Sequence, residues 1–216
     1  MKFNFVFLGQ SVLQYEVPLN IFDSINQIYE KNYDKLPAAN SQLIGKIQSE
    51  KTLYYMQEND PTRQKCNFLT KEIVDWFDSI YDHYLDFNGI KGHVRNLNSV
   101  WINEMKAGEY NPVHVHQGTL FTGLSSVMIL KLPSTYGNEY SSEIKPQNGR
   151  LQILGSASGQ FAKIDFQPPL ELRYFYVFPY DMRHCVYPFN GTNETRRTLA
   201  ANCDVDYNPI NNRSAE

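Results

Sequence analysis

The sequence predicts a mainly β protein with flanking helices, its core a sandwich or a double-stranded β-helix of the jelly-roll, cupin-like kind. Three observations point there. From about Asn96 onward the chain breaks into short apolar runs separated by Gly, Pro and Asn, the spacing of strands that fold back on one another. Before that point two stretches carry apolar residues at helical spacing. The 216 residues also include 15 Tyr and 13 Phe, which favour strands.

Taken in order, Phe3, Phe5 and Phe7 share one face of an edge strand over Phe3–Leu8. Ile21, Phe22, Ile25, Ile28 and Tyr29 mark a first helix, with Asn20 as its cap and an end near Leu36-Pro37. Residues 38–63 are polar and read as a loop-rich section with short elements at Gln42–Gly45 and Leu53–Met56. A second helix over Leu69–Leu85 places Ile73, Trp76, Phe77, Ile80 and Tyr84 on one face, capped by Thr70, with His83 on the solvent side. His93 reads as a loop residue. Strands follow at Ser99–Met105, Leu124–Leu132, Leu151–Leu154, Phe161–Phe166, Leu172–Phe178, Cys185–Tyr187 and Arg197–Val205, with a turn at Ala107-Gly108. The tail Asn208–Glu216 reads as frayed. The expected organisation is one domain over 1–216. Residues 1–95 form a helical, loop-rich part packed on the barrel, and 96–207 the core that bears the site.

Lys and Arg number 20 against 23 Asp and Glu, so no strong field draws nucleic acid or an anionic membrane. No apolar run reaches membrane-spanning length, and the N-terminus lacks the pattern of a signal peptide. Cys66, Cys185 and Cys203 are an odd number without C-x-x-C spacing, which argues against a disulfide framework or structural zinc. A reducing, cytoplasmic setting is expected. The length leaves a homodimer open.

The chemistry centres on Asn111-Pro112-Val113-His114-Val115-His116-Gln117-Gly118. Residues i and i+2 of a strand point to one face, so His114 and His116 would project together with Val115 opposite. His184 follows the strand that ends at Pro179, and Arg196-Arg197 open the last strand. Three neutral imidazoles can hold Zn²⁺, Fe²⁺, Mn²⁺ or Cu²⁺ and leave open positions, and a guanidinium beside them can grip a carboxylate. Asp181 and Asp204 lie near the motif but read as turn and strand-end residues rather than ligands. Trp101 reads as core. Asn103 is a candidate to line the pocket.

Gly108, His114, His116, Pro133, Phe178-Pro179, His184, Pro188 and Arg196 stand in an order that resembles the iron(II)/2-oxoglutarate-dependent oxygenases, in the prolyl-4-hydroxylase-like branch of bacteria and marine phages. The resemblance runs from Trp101 to Asn202 and selects the double-stranded β-helix. It implies an enzyme that uses Fe(II), 2-oxoglutarate and O₂ to hydroxylate a small-molecule or peptide substrate, in the host cytoplasm if phage-encoded. His114 and His184 would be the two histidine ligands. Alternation along Arg196-x-Thr198-x-Ala200-x-Asn202 favours Arg196 as the 2-oxoglutarate anchor, with Arg197 the alternate. The chain departs from the family twice. His116 stands where a carboxylate is usual, and Ile129 where a tyrosine often helps hold 2-oxoglutarate; Lys131, two residues on, could assist or be a solvent lysine. A cupin-like three-histidine metalloenzyme without 2-oxoglutarate and a non-catalytic jelly-roll binding or structural module are the alternatives. The sections 38–63 and 134–148 are long enough to act as lids.

Overall fold

The computed structural model describes residues 9–39, 44–58, 60–139, 147–156, 160 and 162–207. The strand expected at Phe3–Leu8 and the tail at Asn208–Glu216 lie outside them. Two antiparallel sheets face each other, the arrangement of a double-stranded β-helix. Eleven strands and two α-helices are present among the described residues: β1 (Leu13–Glu16), α1 (Leu19–Asn32), β2 (Ser49–Tyr55), β3 (Cys66–Asn67), α2 (Lys71–Phe87), β4 (His93–Met105), β5 (Asn111–His114), β6 (Gly123–Lys131), β7 (Leu151–Leu154), β8 (Asp165–Phe166), β9 (Tyr174–Pro179), β10 (Arg183–Val186) and β11 (Arg196–Tyr207). The large sheet runs β1-β9-β6-β11-β4-β2-β3 and the small one β5-β10-β7-β8.

Side-chain parity divides the large sheet. Leu199, Ala201 and Cys203 of β11, with Val100 and Ile102 of β4, pack outward on Ile21, Phe22 and Ile25 of α1 and Ile73, Phe77 and Tyr81 of α2. The alternate residues face the small sheet, where Val127 and Phe178 meet Leu151, Ile153 and Val186. Thr70 caps α2, its hydroxyl accepting from the Ile73 amide. The cap of α1 is Pro18 rather than Asn20, whose amide donates to Glu72 of α2 and so ties the helices together. Trp76 is only partly buried, against Phe77 and Phe175, and Tyr81 takes the deeper position.

Two further expectations change. The section read as loop-rich contains β2, a seven-residue strand that pairs with β4 through six of its residues. The N-terminal part therefore supplies strands to the large sheet as well as helices. His93 is the first residue of β4, not a loop residue, and its ring bonds Asp82 and the Ile90 carbonyl. The turn after β4 does use Gly108, at φ 79°, where a side chain would be strained. Among the described residues no helix is long and apolar enough to cross a membrane.

Candidate metal centre and cavity

Antiparallel pairing of β5 with β10 sets His114 directly opposite His184, with ring centroids 4.3 Å apart. His116 lies beyond the end of β5. Its amide donates to the Tyr180 carbonyl (3.0 Å), which brings the chain back over the cavity. The next turn is fastened by Asp204, which accepts from the Thr119 amide, Asn98 Nδ2 and the Tyr180 hydroxyl. A Cβ on Gly118 would collide with that carboxylate. Asp204 thus positions the turn, and Asp181 accepts from Gln10, so neither aspartate joins the histidines.

The ligand nitrogens of His114, His116 and His184 all lie within 4.8 Å of one another. Each ring is oriented through Nδ1. His114 Nδ1 is 2.7 Å from the Pro112 carbonyl and His184 Nδ1 is 3.1 Å from the Met182 carbonyl. A carbonyl only accepts, so both Nδ1 atoms carry the proton and both Nε2 atoms keep a lone pair. His116 Nδ1 sits 2.7 Å from Asn202 Oδ1 and 2.7 Å from Ser125 Oγ, which directs its Nε2 inward in the same way. His114 Nε2 and His116 Nε2 then face each other at 3.1 Å. Two lone pairs so placed repel unless a cation lies against both, and the separation suits two ligands on one ion. Burial lowers all three pKa values: His116 falls to about 4, His114 is depressed, and His184 falls well below its usual value, helped by the other two rings. The imidazoles are therefore neutral at pH 7, the form that binds a metal. This donor set fits a divalent first-row ion.

The histidines open onto a cavity of about 330 Å³ between the sheets, also lined by Trp101, Asn103, Val127, Thr198, Ala200 and Arg196. The parity expected for the last strand holds. Arg196 is 2% exposed and enters the cavity, where neither Nε nor Nη2 has a protein partner. Arg197 points to the outer face. There it pairs with Glu104 (3.3 Å) and Glu30 (3.1 Å) and stacks on the Tyr29 ring, away from the cavity. Lys131 is exposed and bonds Thr195. The expectation that it shares the Ile129 face fails because the ladder slips between Arg197 and Thr198. Lys131 pairs with Arg197, on the outer side, while Ile129 pairs with Thr198.

Three residues of the cavity region escaped the sequence reading or were underweighted. Trp101 is core, as expected, yet its ring also lies 5.7 Å from His116 and its Nε1 has no partner. Glu50 of β2 is 2% exposed and lines the cavity, hidden in a segment read as loop. Tyr136, in the polar stretch after β6, has a buried hydroxyl without a partner and feels the charge of Arg196.

Residues 99–202, which carry all three histidines and Arg196, match the family model described as "Putative 2OG-Fe(II) oxygenase". No curated protein matches the chain in sequence. Among solved structures, an oxidoreductase of the 2OG-Fe(II) oxygenase family from Burkholderia pseudomallei is similar at TM-score 0.59 and 12% identity, over 89% of this chain and 84% of that one. A Pseudomonas putida prolyl-4-hydroxylase is similar at TM-score 0.52 and 13% identity, over 90% of this chain and 92% of that one. These two are likenesses of fold. The family match, with the three histidines that it spans, implies Fe(II) as cofactor and 2-oxoglutarate and O₂ as co-substrates.

Proposed function

We propose that His114, His116 and His184 hold Fe(II) through Nε2, that Arg196 receives the distal carboxylate of 2-oxoglutarate, and that the chain hydroxylates a C–H bond of a substrate entering the same cavity. The observation that carries this reading is the pairing of convergent Nε2 lone pairs with an unpartnered buried guanidinium in one cavity. The bound iron supplies an O₂-dependent oxidation in which 2-oxoglutarate becomes succinate and CO₂ and the substrate C–H becomes C–OH.

The rest is the work of this chain's side chains. Pro112, Met182, Asn202 and Ser125 fix the ring orientations, so the ligands need little reorganisation. Three neutral imidazoles bring no negative charge, unlike the histidine–carboxylate set usual in the family. The dianionic co-substrate supplies that compensation. Arg196 offers two donors in a planar fork matched to a carboxylate, and Thr198 and Ala200 on its face are small enough to leave room. Val127, Leu151 and Val186 give the cavity apolar walls that limit water at the reacting centre.

The test is anaerobic titration of Fe(II) and then 2-oxoglutarate into the metal-free protein, followed by calorimetry and by the visible charge-transfer band of a chelated keto acid. His184→Ala should lose both events. Iron binding without 2-oxoglutarate binding in the unaltered protein would favour a three-histidine metalloenzyme that needs no keto acid. Absence of both would favour a non-catalytic module.

A further inference from the structure

The cavity holds a second buried charge that the reading above does not use. Glu50 pairs in register with Asn103 of β4, and Asn103 with Thr198 of β11, so the three form one row across the large sheet. Neighbours in such a row stand about 4.5–5.5 Å apart at Cβ. Glu50 and Asn103 both line the cavity, and Glu50 Oε1 and Asn103 Oδ1 are buried acceptors with no hydrogen-bond partner. Burying a carboxyl without a partner opposes folding, so its retention in a cavity wall needs a reason.

Neutralising Arg196 is not that reason. Among the described residues no ion pair or hydrogen bond joins the two, and the charged group that acts on Glu50 is Glu109. Glu109 is itself satisfied by the Gln48 and Lys106 amides. One cavity thus presents an unpaired guanidinium and, two strands across the sheet, an unpaired carboxyl beside a second acceptor.

We propose that Glu50 and Asn103 form the substrate-recognition wall of this cavity and take a protonated amine. This rests on the assignment of Arg196 to 2-oxoglutarate. An ammonium carries donors and no acceptor, which matches two adjacent acceptor oxygens. The indole of Trp101, the cross-strand neighbour of Thr52 two residues along β2, lines the same cavity and offers a π-face to a cation. Its Nε1–H, also unpartnered, is available to an oxygen elsewhere on the same substrate. Burial and Glu109 push the Glu50 carboxyl up to about 7. An entering cation would draw it back to the ionised form.

The test uses matched probes, n-pentylammonium and the neutral 1-pentanol, on protein loaded with Zn(II) and 2-oxoglutarate. Binding is read by ligand-observed NMR and by tryptophan fluorescence at pH 7.5. The unaltered protein should prefer the ammonium by roughly 10- to 100-fold, the scale of a hydrogen bond to a charged group. Glu50→Gln should bring the ratio close to one, and Asn103→Leu should lower it part of the way. Equal binding of the two probes by the unaltered protein, or a ratio untouched by Glu50→Gln, overturns the proposal, and the first needs no variant. 2-Oxoglutarate affinity is measured on the same sample. If the keto acid does not bind while the ammonium preference persists in metal-free protein, the oxygenase assignment of Arg196 fails and the amine site stands. If the keto acid binds and the preference is absent, the reverse holds.

Discussion

Replacing Arg196 by Met separates what the guanidinium does for binding from what it does to the fold. In the ligand-free chain it is a buried cation with no protein partner on Nε or Nη2, and burial already lowers its pKa. Such a charge opposes folding, and a flexible apolar side chain of comparable reach removes the penalty while filling the space. Arg196→Met should raise the unfolding free energy of the metal-free protein by about 1–3 kcal/mol. For a chain of this size that is about 3–10 °C in Tm. The same change should weaken 2-oxoglutarate by about two to four orders of magnitude, the scale of truncating one partner of a buried charge pair. Metal affinity should hold, because the histidines are elsewhere. Arg197→Met is the control: it breaks the contacts with Glu104, Glu30 and Tyr29 and should destabilise by about 2–4 kcal/mol without changing 2-oxoglutarate affinity. Differential scanning fluorimetry of the metal-free proteins and anaerobic calorimetry of the loaded ones read the two effects. If Arg196→Met lowers Tm as Arg197→Met does, or binds 2-oxoglutarate normally, the anchor is misassigned.

Three further outcomes follow from the geometry. Phe77, fully buried between α2 and Phe175, should cost about 3–5 kcal/mol when cut to Ala, measured by urea unfolding, with metal affinity of the folded fraction unchanged; Trp76→Ala should cost less, being partly exposed. The Glu50 carboxyl keeps its proton up to about 7 in the folded chain against 4.5 when unperturbed, so the folded state binds the extra proton between those values and stability falls as pH rises through them. Glu50→Gln should remove a loss on the order of 3 kcal/mol at pH 8 and be neutral near pH 4.5, as read from unfolding curves at the two pH values. Gly118→Ala forces a Cβ against Asp204 and should weaken both thermal stability and metal binding, because the displaced turn directly follows His116.

The convergence of the three histidines and the inward turn of Arg196 were legible because alternation along a strand is a strong constraint. Given one register, Arg196 and Arg197 must face opposite ways, and β11 obeys. The same rule misled at Lys131, since no residue type announces the slip between Arg197 and Thr198. Only the end of β2, at Leu53–Tyr55, was legible, for a different reason. Its inward positions include Glu50, which lines the cavity, and Thr52, both polar, so the apolar alternation that marks a strand is missing there. Tyr136 was lost likewise, a single aromatic in a polar stretch that acquires its role only when the loop folds back on Phe189. Asn20 looked like a cap by type, but α1 begins at Leu19, so Asn20 already lies inside the first turn, where its amide donates to Glu72.

β11 stands fourth of seven strands, hydrogen-bonded along both edges. It meets His116 at Asn202 and carries the guanidinium at Arg196, six residues apart, roughly 20 Å of backbone at about 3.3 Å per residue. A strand locked on both sides can neither stretch nor shorten, so the separation of the histidine cluster from the guanidinium is set by the sheet and not by loops. Loops around the mouth can change to suit new substrates while that measure stays the same.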